Sequence, residues 1–346
     1  MPELTHDTNR YDFDCLVFIG RFQPPHLGHL AVIHDALKRA RQVIVLIGSA
    51  WQARSLRNPW RFEERRDMLR HCFDDRDNRR LEIEPLLDAL YNDDVWVRDV
   101  QRKVRDIARP SHGRLPRIAL IGASRGQSSY YLSLFPQWES VSVPLVEGIS
   151  ASRIRERLFR SDASAQDYLD TGARHDLPPC VHQAIQRFRA VPACQQLLEE
   201  QHLVEQYRSA WAQAPYPPIF VTVNAVVVQS GHVLLVRRRA APGQGLLALP
   251  GGFINPHERL LDVCLRELRE RVRLKVPEPV LKGSLREQRL FDDPHRSWRG
   301  RTLAEAFYFA LRPEQQLPRL KPAKGGDSAS WVALASCDVD RRTGAA

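Results

Sequence analysis

The sequence predicts two domains, an α/β domain built on a parallel sheet and then a smaller α+β domain. Its 346 residues are about twice what a single domain usually contains. In the first part, short apolar strands alternate with amphipathic helices, which is typical of a parallel sheet. After the proline-rich stretch 214–218, two strands flank Ser230-Gly231 and predict a hairpin. The expected limits are 1–190 for the first domain, 191–215 for a helix and linker, and 216–346 for the second domain.

The composition excludes several classes of protein. Hydrophobic residues make up 43% and charged residues 27%, which is ordinary for a globular protein and unlike a disordered one. No apolar run reaches the roughly 18 residues that a membrane helix needs, and the polar start has no secretory signal. The six cysteines form no C-x2-C pair, which excludes a zinc ribbon and disfavours a disulfide framework. We therefore expect a cytoplasmic protein without a membrane partner.

The charge balance predicts anionic ligands. The formal net charge is +10, from 51 basic and 41 acidic residues, and all but six of the basic residues are arginines. An arginine bias can reflect genome composition alone, but the guanidinium fork also binds phosphate with two parallel hydrogen bonds. No basic stretch interleaved with aromatic residues and no helix-turn-helix signature is present in the sequence. We therefore expect phosphate-bearing small molecules and no nucleic acid. A homo-oligomer is compatible with the sequence.

Buried apolar runs define the predicted strands, and helical periodicity defines the predicted helices. The first run ends at Gly20, which stops the strand. The segment 151–210 is predicted to be largely helical, with a break at 173–179. The predicted strands cover 14–20, 42–50, 81–85, 117–122, 142–146, 220–229, 232–239, 304–311 and 330–334, and the predicted helices cover 27–41, 62–73, 95–108 and 258–273.

A histidine pair follows the first strand, in the segment GRFQPPHLGHL (20–30). His26 and His29 are three residues apart, so they share one face of the first turn of a helix. A helix N-terminus attracts phosphate through its free amides, and imidazoles placed there can donate hydrogen bonds to a triphosphate. Gly28 lets a nucleotide approach the backbone closely. The pattern predicts a triphosphate site.

This segment resembles the T/HxGH signature of the nucleotidylyltransferase superfamily. Three further segments resemble archaeal-type nicotinamide mononucleotide adenylyltransferases: SLRNPWRFEER (55–65), YNDDVWV (91–97) and GISASRIRERL (148–158). The resemblance covers roughly residues 14–185 and implies a Rossmann-like domain. It places His26, His29 and Arg155 at the phosphates as catalytic residues. It also implies substrate contacts from Gly20, Arg21, Phe22, Gln23, Gly28, Asn58, Arg65, Ser150 and Ser152, and a stacking contact of Trp96 with the nicotinamide ring.

The resemblance implies a specific reaction. The 5′-phosphate of nicotinamide mononucleotide attacks the α-phosphorus of ATP, which gives NAD and pyrophosphate. Mg²⁺ is the expected cofactor and Mn²⁺ the alternative. One departure from the family lies in residues 123–127, where ASRGQ replaces a His-x-Lys-Asp-like stretch and the aspartate is absent. We expect this change to affect rate or substrate preference and not the binding of the triphosphate.

A second motif starts at Gly252 and ends at Leu274. It resembles the Nudix signature G-x5-E-x7-R-E-U-x-E-E-x-G-U, in which U is aliphatic. Paired carboxylates on one helical face bind divalent metal at a pyrophosphate, and an arginine can hold a loop carboxylate in place. The resemblance thus implies an α+β Nudix-like domain that takes ADP-ribose as a further ligand. The matching residues are Gly252, Glu258, Arg266, Glu267 and Glu270, with Glu267 and Glu270 as metal ligands.

This second motif departs from the signature at two positions. Arg271 replaces the second glutamate of the E-E pair, and Arg273 replaces the glycine. Replacing a carboxylate by a guanidinium changes the local charge by two units and opposes a divalent ion. A GGDDA-like stretch at 324–334 has lost one aspartate, and the few polar residues after Ala335 predict that the closing helix is lacking.

The order of the two domains resembles that of the bifunctional nicotinamide mononucleotide adenylyltransferase/Nudix hydrolases. The resemblance implies an NAD-synthesising enzyme whose second domain is a weakened ADP-ribose pyrophosphatase. The alternative is a non-catalytic second domain that senses ADP-ribose or NAD and regulates the first. A transcriptional regulator is a third hypothesis, which the absence of a recognisable DNA-reading helix disfavours.

Overall fold

The computed structural model describes residues 11–89, 91–108, 114–123, 133–160, 162–320 and 328–337. The chain forms two compact units, residues 1–197 and residues 198–346. The expectations for 124–127, for the first part of the GGDDA-like stretch and for the end of the chain lie outside the described residues. In the part that the structure describes, none of the helices is both long enough and apolar enough to cross a membrane.

The first unit contains a sheet in which every pairing is parallel, as the sequence predicts. In the described residues it has five strands in the order β3-β2-β1-β4-β5. This order reverses direction beside β1, and ligands of such sheets bind at the carboxyl ends of the strands near the reversal. The strands are β1 (Phe13–Gly20), β2 (Ala40–Ile47), β3 (Leu81–Pro85), β4 (Ile118–Ala123) and β5 (Glu139–Val143).

Helices cover both faces of this sheet. Leu16 and Phe18 pack in the core cluster that includes Ile33, whereas Val17 packs in the cluster that includes Val100 and Val104. Burial on both faces explains why the strands are continuous apolar runs. The helices of this part of the chain are α1 (Leu27–Arg39), α2 (Phe62–Arg70), α3 (Asp75–Asn78), α4 (Asp93–Ile107), α5 (Ala151–Leu158), α6 (Ser164–Asp167), α7 (Ala173–Asp176), α8 (Pro179–Arg189) and α9 (Pro192–Ser209).

Two predicted elements of the first unit differ from the structure. The strand predicted over 142–146 is found at Glu139–Val143, because Pro144 has no N–H for the sheet and ends the strand. The break predicted over 173–179 is shorter. Residues 168–172 form a wide π-type turn that runs into α7, and the chain becomes extended only at Leu177.

The second unit contains a mixed sheet with seven described strands, whose main order is β10-β11-β6-β7-β12. Strand β11 pairs parallel with β6, and the predicted hairpin joins β6 to β7. The strands are β6 (Phe220–Gln229), β7 (His232–Arg237), β8 (Leu247–Ala248), β9 (Gly251–Phe253), β10 (Leu285–Phe291), β11 (Thr302–Ala310) and β12 (Ser328–Ala333), and the helices are α10 (Leu260–Glu267) and α11 (Glu278–Gly283).

The helix predicted over 258–273 starts later and changes form. Helix α10 ends at Glu267, and residues 268–272 continue it as a π-type turn. The turn stops at Arg273, whose φ of 53° lies in the left-handed region that glycine adopts most easily. This backbone conformation gives a physical reason for the glycine of the Nudix signature, and Arg273 adopts it at a cost.

Candidate functional site

The predicted histidine pair lies at the start of α1, directly after β1. His26 is the residue before the helix, and its backbone N–H donates to Nδ1 of His29 at 3.2 Å. The His29 ring lies between two other rings, with centroids 3.7 Å from His26 and 4.7 Å from Phe22. Because Nδ1 of His29 accepts a hydrogen bond, neutral His29 carries its proton on Nε2. Nε2–H is therefore the donor that His29 offers to a ligand.

Both imidazoles are neutral near pH 7. Burial lowers the pKa of His26 to about 4, although the carboxylate of Asp176 acts in the opposite direction. Burial, followed by the charge of His26, lowers the pKa of His29 well below its ordinary value. Nδ1 of His26 is buried and has no hydrogen-bond partner in the described structure. An unpartnered buried nitrogen at a helix start is suited to a polar ligand.

Three guanidiniums accompany the histidine pair. Burial, followed by the charges of Arg21 and Arg57, lowers the pKa of Arg155 to about 10. The pKa of Arg21 is lowered by burial and then by the charge of Arg57. Nη1 of Arg21 is buried without a hydrogen-bond partner among the described atoms. Mutually repelling cations with an unused donor have the charge and the hydrogen-bonding capacity that suit a polyanion.

Arg57 was not among the residues predicted from the sequence to bind substrate. It lies in the segment 55–65, whose family resemblance was the signal that could have identified it. Arg155 is fixed by two hydrogen bonds, from Nη1 to the carbonyl of Gln23 at 2.6 Å and from Nη2 to Oγ of Ser152 at 3.2 Å. The structure thus joins the start of α5 to the segment before α1.

Arg65 is fully buried, with 0% of its surface exposed. Its guanidinium donates to the carbonyls of Arg21 at 2.6 Å, Gly48 at 2.8 Å and Ser49 at 2.9 Å. These carbonyls lie just after β1 and β2. The described contacts make Arg65 a positioning residue beneath the site, whereas a direct contact with the nucleotide stays a prediction.

A polar network at the end of β2 was not predicted. Asp88 accepts hydrogen bonds from the backbone N–H of Ser49 at 3.0 Å and from Nε2 of Gln52 at 2.9 Å. Oε1 of Gln52 accepts from Nδ2 of Asn58 at 2.8 Å, and Oδ1 of Asn58 is buried without a partner among the described atoms. The signal for Asp88 was its position after β3, because the carboxyl ends of parallel strands meet at one edge.

Other predicted residues serve packing in the described structure. A Cβ on Gly28 would lie 3.1 Å from the His26 ring, and one on Gly20 would lie 3.1 Å from the ring of Phe22. Gln23 holds both backbone groups of Trp60, donating to its carbonyl at 2.8 Å and accepting from its N–H at 3.1 Å. Gly28 and Gly20 thus leave room for the rings of His26 and Phe22, and Gln23 fixes the backbone of Trp60.

Trp96 and Ser150 also make contacts within the protein. Trp96 on α4 packs against Phe135, with a centroid distance of 5.7 Å. It belongs to the hydrophobic cluster of that face, so stacking on a nicotinamide ring stays a prediction. Ser150 caps α5, and its Oγ accepts from the backbone N–H of Arg153 at 3.2 Å.

The second motif brings two carboxylates and two guanidiniums together at α10. Arg266 donates from Nε to Glu258 at 2.8 Å and from Nη1 to Glu267 at 2.9 Å. The first of these bonds is the loop contact that the sequence predicts for Arg266. Nε of Arg271 lies 3.1 Å from Oε2 of Glu267, and Nη1 of Arg271 donates to the carbonyl of Gly251 at 3.2 Å. Arg271 therefore lies between a carboxylate of the motif and the backbone carbonyl just before it.

Gly252 allows Glu267 to occupy this position. A Cβ on Gly252 would lie 2.7 Å from the carboxyl carbon of Glu267, so any other residue there would force this carboxylate to move. Burial raises the pKa of Glu267, and the charges of Arg271 and Arg266 oppose that shift. Glu267 is thus a buried carboxylate whose charge is balanced from within the protein.

The metal expected at this motif does not fit the residues as they are arranged. Oε2 of Glu267 is buried and makes no hydrogen bond with described atoms, which suits a metal ligand, but the Arg271 cation lies 3.1 Å away. The side chain of Glu270 is 56% exposed and pairs with Arg269. Among the described residues, no group of three histidine, cysteine, aspartate or glutamate side chains is arranged to hold a metal ion.

Two family models match the chain. Residues 17–157 match the cytidylyltransferase-like family and residues 218–344 match the NUDIX domain. The fold and the two sites thus define a protein that joins a nucleotidylyltransferase-like domain to a NUDIX domain. The predicted fold class is confirmed.

The first domain is similar to individual adenylyltransferases. The nicotinamide/nicotinic acid mononucleotide adenylyltransferase of Acinetobacter baylyi is 42% identical over 151 residues, which are 43% of this chain and 77% of that protein. The nicotinamide-nucleotide adenylyltransferase of Aeropyrum pernix is 49% identical over 84 residues, which cover 24% of this chain and only 48% of that protein.

A solved structure matches nearly the whole chain. The bifunctional NMN adenylyltransferase/ADP ribose pyrophosphatase of Francisella tularensis superposes with a TM-score of 0.83 and 31% identity, covering 96% of this chain and 95% of that one. A second structure of the Francisella protein, complexed with AMP and manganese, gives a TM-score of 0.84 and 32% identity. This chain belongs to the family of bifunctional NMN adenylyltransferase/ADP-ribose pyrophosphatases, which confirms the resemblance seen in the sequence.

Replacing Arg65 by methionine should destabilise the first unit. The change leaves three buried carbonyl groups without donors, at about 1–3 kcal/mol for each, so we expect a loss of at least ~3 kcal/mol in unfolding free energy. Arg66→Met on the same helix is the matched control, because Arg66 is 40% exposed and pairs with exposed Asp67. Urea denaturation of both variants measures the difference. Equal losses would contradict the role assigned to Arg65.

The buried histidine should make stability depend on pH. His26 has its pKa depressed to about 4 in the folded protein, against about 6.5 when unfolded, so the unfolded chain binds the proton first as pH falls. The contribution of neutral His26 is present above pH 6.5 and is lost between pH 6.5 and 4. Between pH 7 and 5, the unfolding free energy of the wild type should fall by about 2 kcal/mol more than that of His26→Asn. Parallel urea titrations at the two pH values would refute this if both proteins lost the same amount.

Proposed function

We propose that the first domain transfers the adenylyl group of ATP to nicotinamide mononucleotide, giving NAD and pyrophosphate. The observation that carries the proposal is the contact of Arg155 with the segment before the histidine pair, where its Nη1 donates to the carbonyl of Gln23 at 2.6 Å. The charges of Arg21 and Arg57 act on Arg155. Family membership supports the same reaction, because the Acinetobacter and Francisella relatives are described as adenylyltransferases of this mononucleotide.

The reaction needs positioning and charge compensation, not a nucleophile from the protein. The attacking group is the 5′-phosphate of the mononucleotide, and the leaving group is pyrophosphate. Nε2–H of His29 and the buried His26 ring donate hydrogen bonds to the triphosphate as negative charge develops on it. The guanidiniums of Arg21, Arg57 and Arg155 compensate the charge of both phosphate groups.

A divalent cation accompanies a triphosphate in solution. We propose Mg²⁺ for this chain, with Mn²⁺ as the alternative, to neutralise charge on the leaving pyrophosphate. The manganese in a Francisella structure supports the use of a divalent ion in the family. Since the described residues offer no three-ligand group for such an ion, the phosphates would supply most of its ligands.

An assay of the purified chain tests this function directly. The chain is incubated with ATP, Mg²⁺ and either nicotinamide mononucleotide or nicotinic acid mononucleotide. Chromatography should reveal the corresponding dinucleotide and pyrophosphate, and the ratio of the two rates gives the preferred acceptor. Because the Acinetobacter relative is named for both acceptors, activity with either one supports the proposal. No dinucleotide from either acceptor would refute it.

We further propose that the second domain is a weakened ADP-ribose pyrophosphatase. This proposal rests on the position of Arg271 between Oε2 of Glu267 and the carbonyl of Gly251. The guanidinium neutralises the carboxylate that the motif provides for a metal, so a divalent ion must displace it. The hypothesis of a purely sensing domain is not favoured, because the Francisella relative, which matches 96% of this chain, is described as an ADP-ribose pyrophosphatase.

The substitution His29→Ala should reduce synthesis and leave the protein folded. Removing a transition-state donor costs about 10²–10³ in turnover, whereas losing the contact with the His26 backbone costs only about 1 kcal/mol of stability. His34→Ala is the control, because His34 is an exposed residue of α1 that packs on Phe73. Turnover and circular dichroism of the two variants should separate the roles. Near-normal turnover of His29→Ala would mean that the pair is structural.

The substitution Arg271→Glu should restore hydrolysis. It replaces the internal cation by a third carboxylate beside Glu267 and Glu270, which favours a divalent ion. We expect Mg²⁺- or Mn²⁺-dependent release of AMP from ADP-ribose well above the wild-type rate, at saturating metal. Isothermal titration with Mn²⁺ should also show tighter binding.

Two further proteins complete this test. Arg271→Glu combined with Glu267→Gln should lose the gain, because a metal ligand and a candidate base are removed. Arg271→Ala separates the loss of the cation from the gain of a ligand. Strong hydrolysis by the wild type would contradict the weakened site, and no gain in Arg271→Glu would assign the loss to other replacements, such as Arg273.

A further inference from the structure

Two cysteines that are distant in sequence meet in the first unit. Cys72 lies in the turn after α2, and Cys180 is the second residue of α8. Their Sγ atoms are 2.9 Å apart, although 108 positions separate them in the chain. Both are free thiols and both are partly exposed. Neither takes part in the adenylyl transfer proposed above or belongs to the second motif.

The pair has the chemistry of an attacking and a resolving thiol. The Cys72 thiol lowers the pKa of Cys180 to about 6 by hydrogen bonding, and backbone N–H groups in the first turn of α8 act in the same direction. The same contact, together with burial, raises the pKa of Cys72. The shared hydrogen bond thus favours the thiolate at Cys180, which is the form that attacks disulfides, and leaves the proton on Cys72.

Other cysteines of the chain lack this arrangement. Burial raises the pKa of Cys15 to about 11 and that of Cys264 to about 12, and it also raises the pKa of Cys194. These three thiols are buried, so a small reagent reaches them poorly. Cys337 is partly exposed and lies in the second unit, which makes it the natural internal control.

We propose that Cys72 and Cys180 are a redox modification site that forms a reversible intramolecular disulfide with low-molecular-weight disulfides as the oxidant. The Cys180 thiolate attacks one sulfur of the small disulfide, the S–S bond of the reagent breaks, and one small thiolate leaves. Cys72 then gives its proton to water, attacks Sγ of Cys180 and expels the second small thiolate. In balance, the protein dithiol loses two hydrogens and two electrons, and one small disulfide becomes two thiols.

The required movement is small. A disulfide bond is about 2.05 Å long, so the two Sγ atoms need to approach by less than about 1 Å. The bond would join the end of α2 to the start of α8. Helix α2 carries Arg65 under the strand ends, and α8 carries Phe188, whose ring lies 5.6 Å from that of Trp60. Oxidation would therefore link α2 covalently to α8, and both helices carry residues that support the first site.

A bond that closes a loop of this length restricts the unfolded chain strongly. We expect the first unit of the oxidised protein to melt on the order of 10 °C higher than that of the reduced protein. We also expect adenylyl transfer, where it is present, to survive heating longer after oxidation. The thermal shift does not depend on the proposed enzymatic function, so the two proposals can fail separately.

The full-length chain is titrated with oxidised glutathione and then alkylated, digested without reduction and analysed by mass spectrometry. The expected product is a single cross-linked peptide pair that contains Cys72 and Cys180, together with a loss of two titratable thiols. Dithiothreitol should restore both thiols and the lower melting temperature. Retention of glutathione on Cys180 in the wild type, or survival of both thiols under conditions that oxidise Cys337, would overturn the proposal.

Three variants make the result specific. Cys72→Ser should trap a lasting mixed disulfide on Cys180 and show no thermal shift, because the resolving thiol is missing. Cys180→Ser should react slowly at Cys72 and also show no shift, which keeps the test valid if one of the two variants folds poorly. Cys337→Ser should behave like the wild type. A thermal shift that persists in Cys72→Ser, or one that disappears in Cys337→Ser, would count against the pair.

Discussion

Three backbone carbonyls at the ends of two neighbouring strands face one buried guanidinium, that of Arg65, and the first site depends on this contact. The strands β1 and β2 are continuous apolar runs, and the chain after each of them must leave the core with its polar backbone satisfied. Arg65 supplies the donors for Arg21, Gly48 and Ser49. The segment that leads to the histidine pair therefore starts from a fixed position.

The second unit uses the same residue type for a different purpose. Around Glu267, two guanidiniums balance two carboxylates, so this part of the motif is neutral before any ligand arrives. With glutamate in place of Arg271, the group would carry a net charge of −2 and would attract a divalent ion. One substitution thus decides whether the charge of this group is balanced by Arg271 or by a divalent ion from solution. The helix, the glycine turn and the loop contact of Arg266 are the same in both cases.

The sequence predicted the structure best where a run of residues is buried on both sides or where a motif has a fixed spacing. The buried runs of β1, β2 and β4 can be recognised because both faces of the sheet are covered, and the motif of α10 can be recognised by its spacing. Strand β10 gave no signal, because it is an exposed edge strand with mostly polar residues. The burial of Arg65 and the placement of Arg271 against Gly251 were also invisible, since each depends on contacts between distant segments.

The repulsion among Arg21, Arg57 and Arg155 has a consequence for the protein as a whole. Without an anion, the folded chain holds these like charges together at a cost in folding free energy. One nitrogen of Arg21 and one of His26 also have no hydrogen-bond partner among the described atoms. A polyphosphate bound there, as we propose, would relieve this repulsion and favour the folded chain over the unfolded one. The free energy of unfolding would then rise with the nucleotide concentration, and depletion of nucleotide would leave a less stable protein.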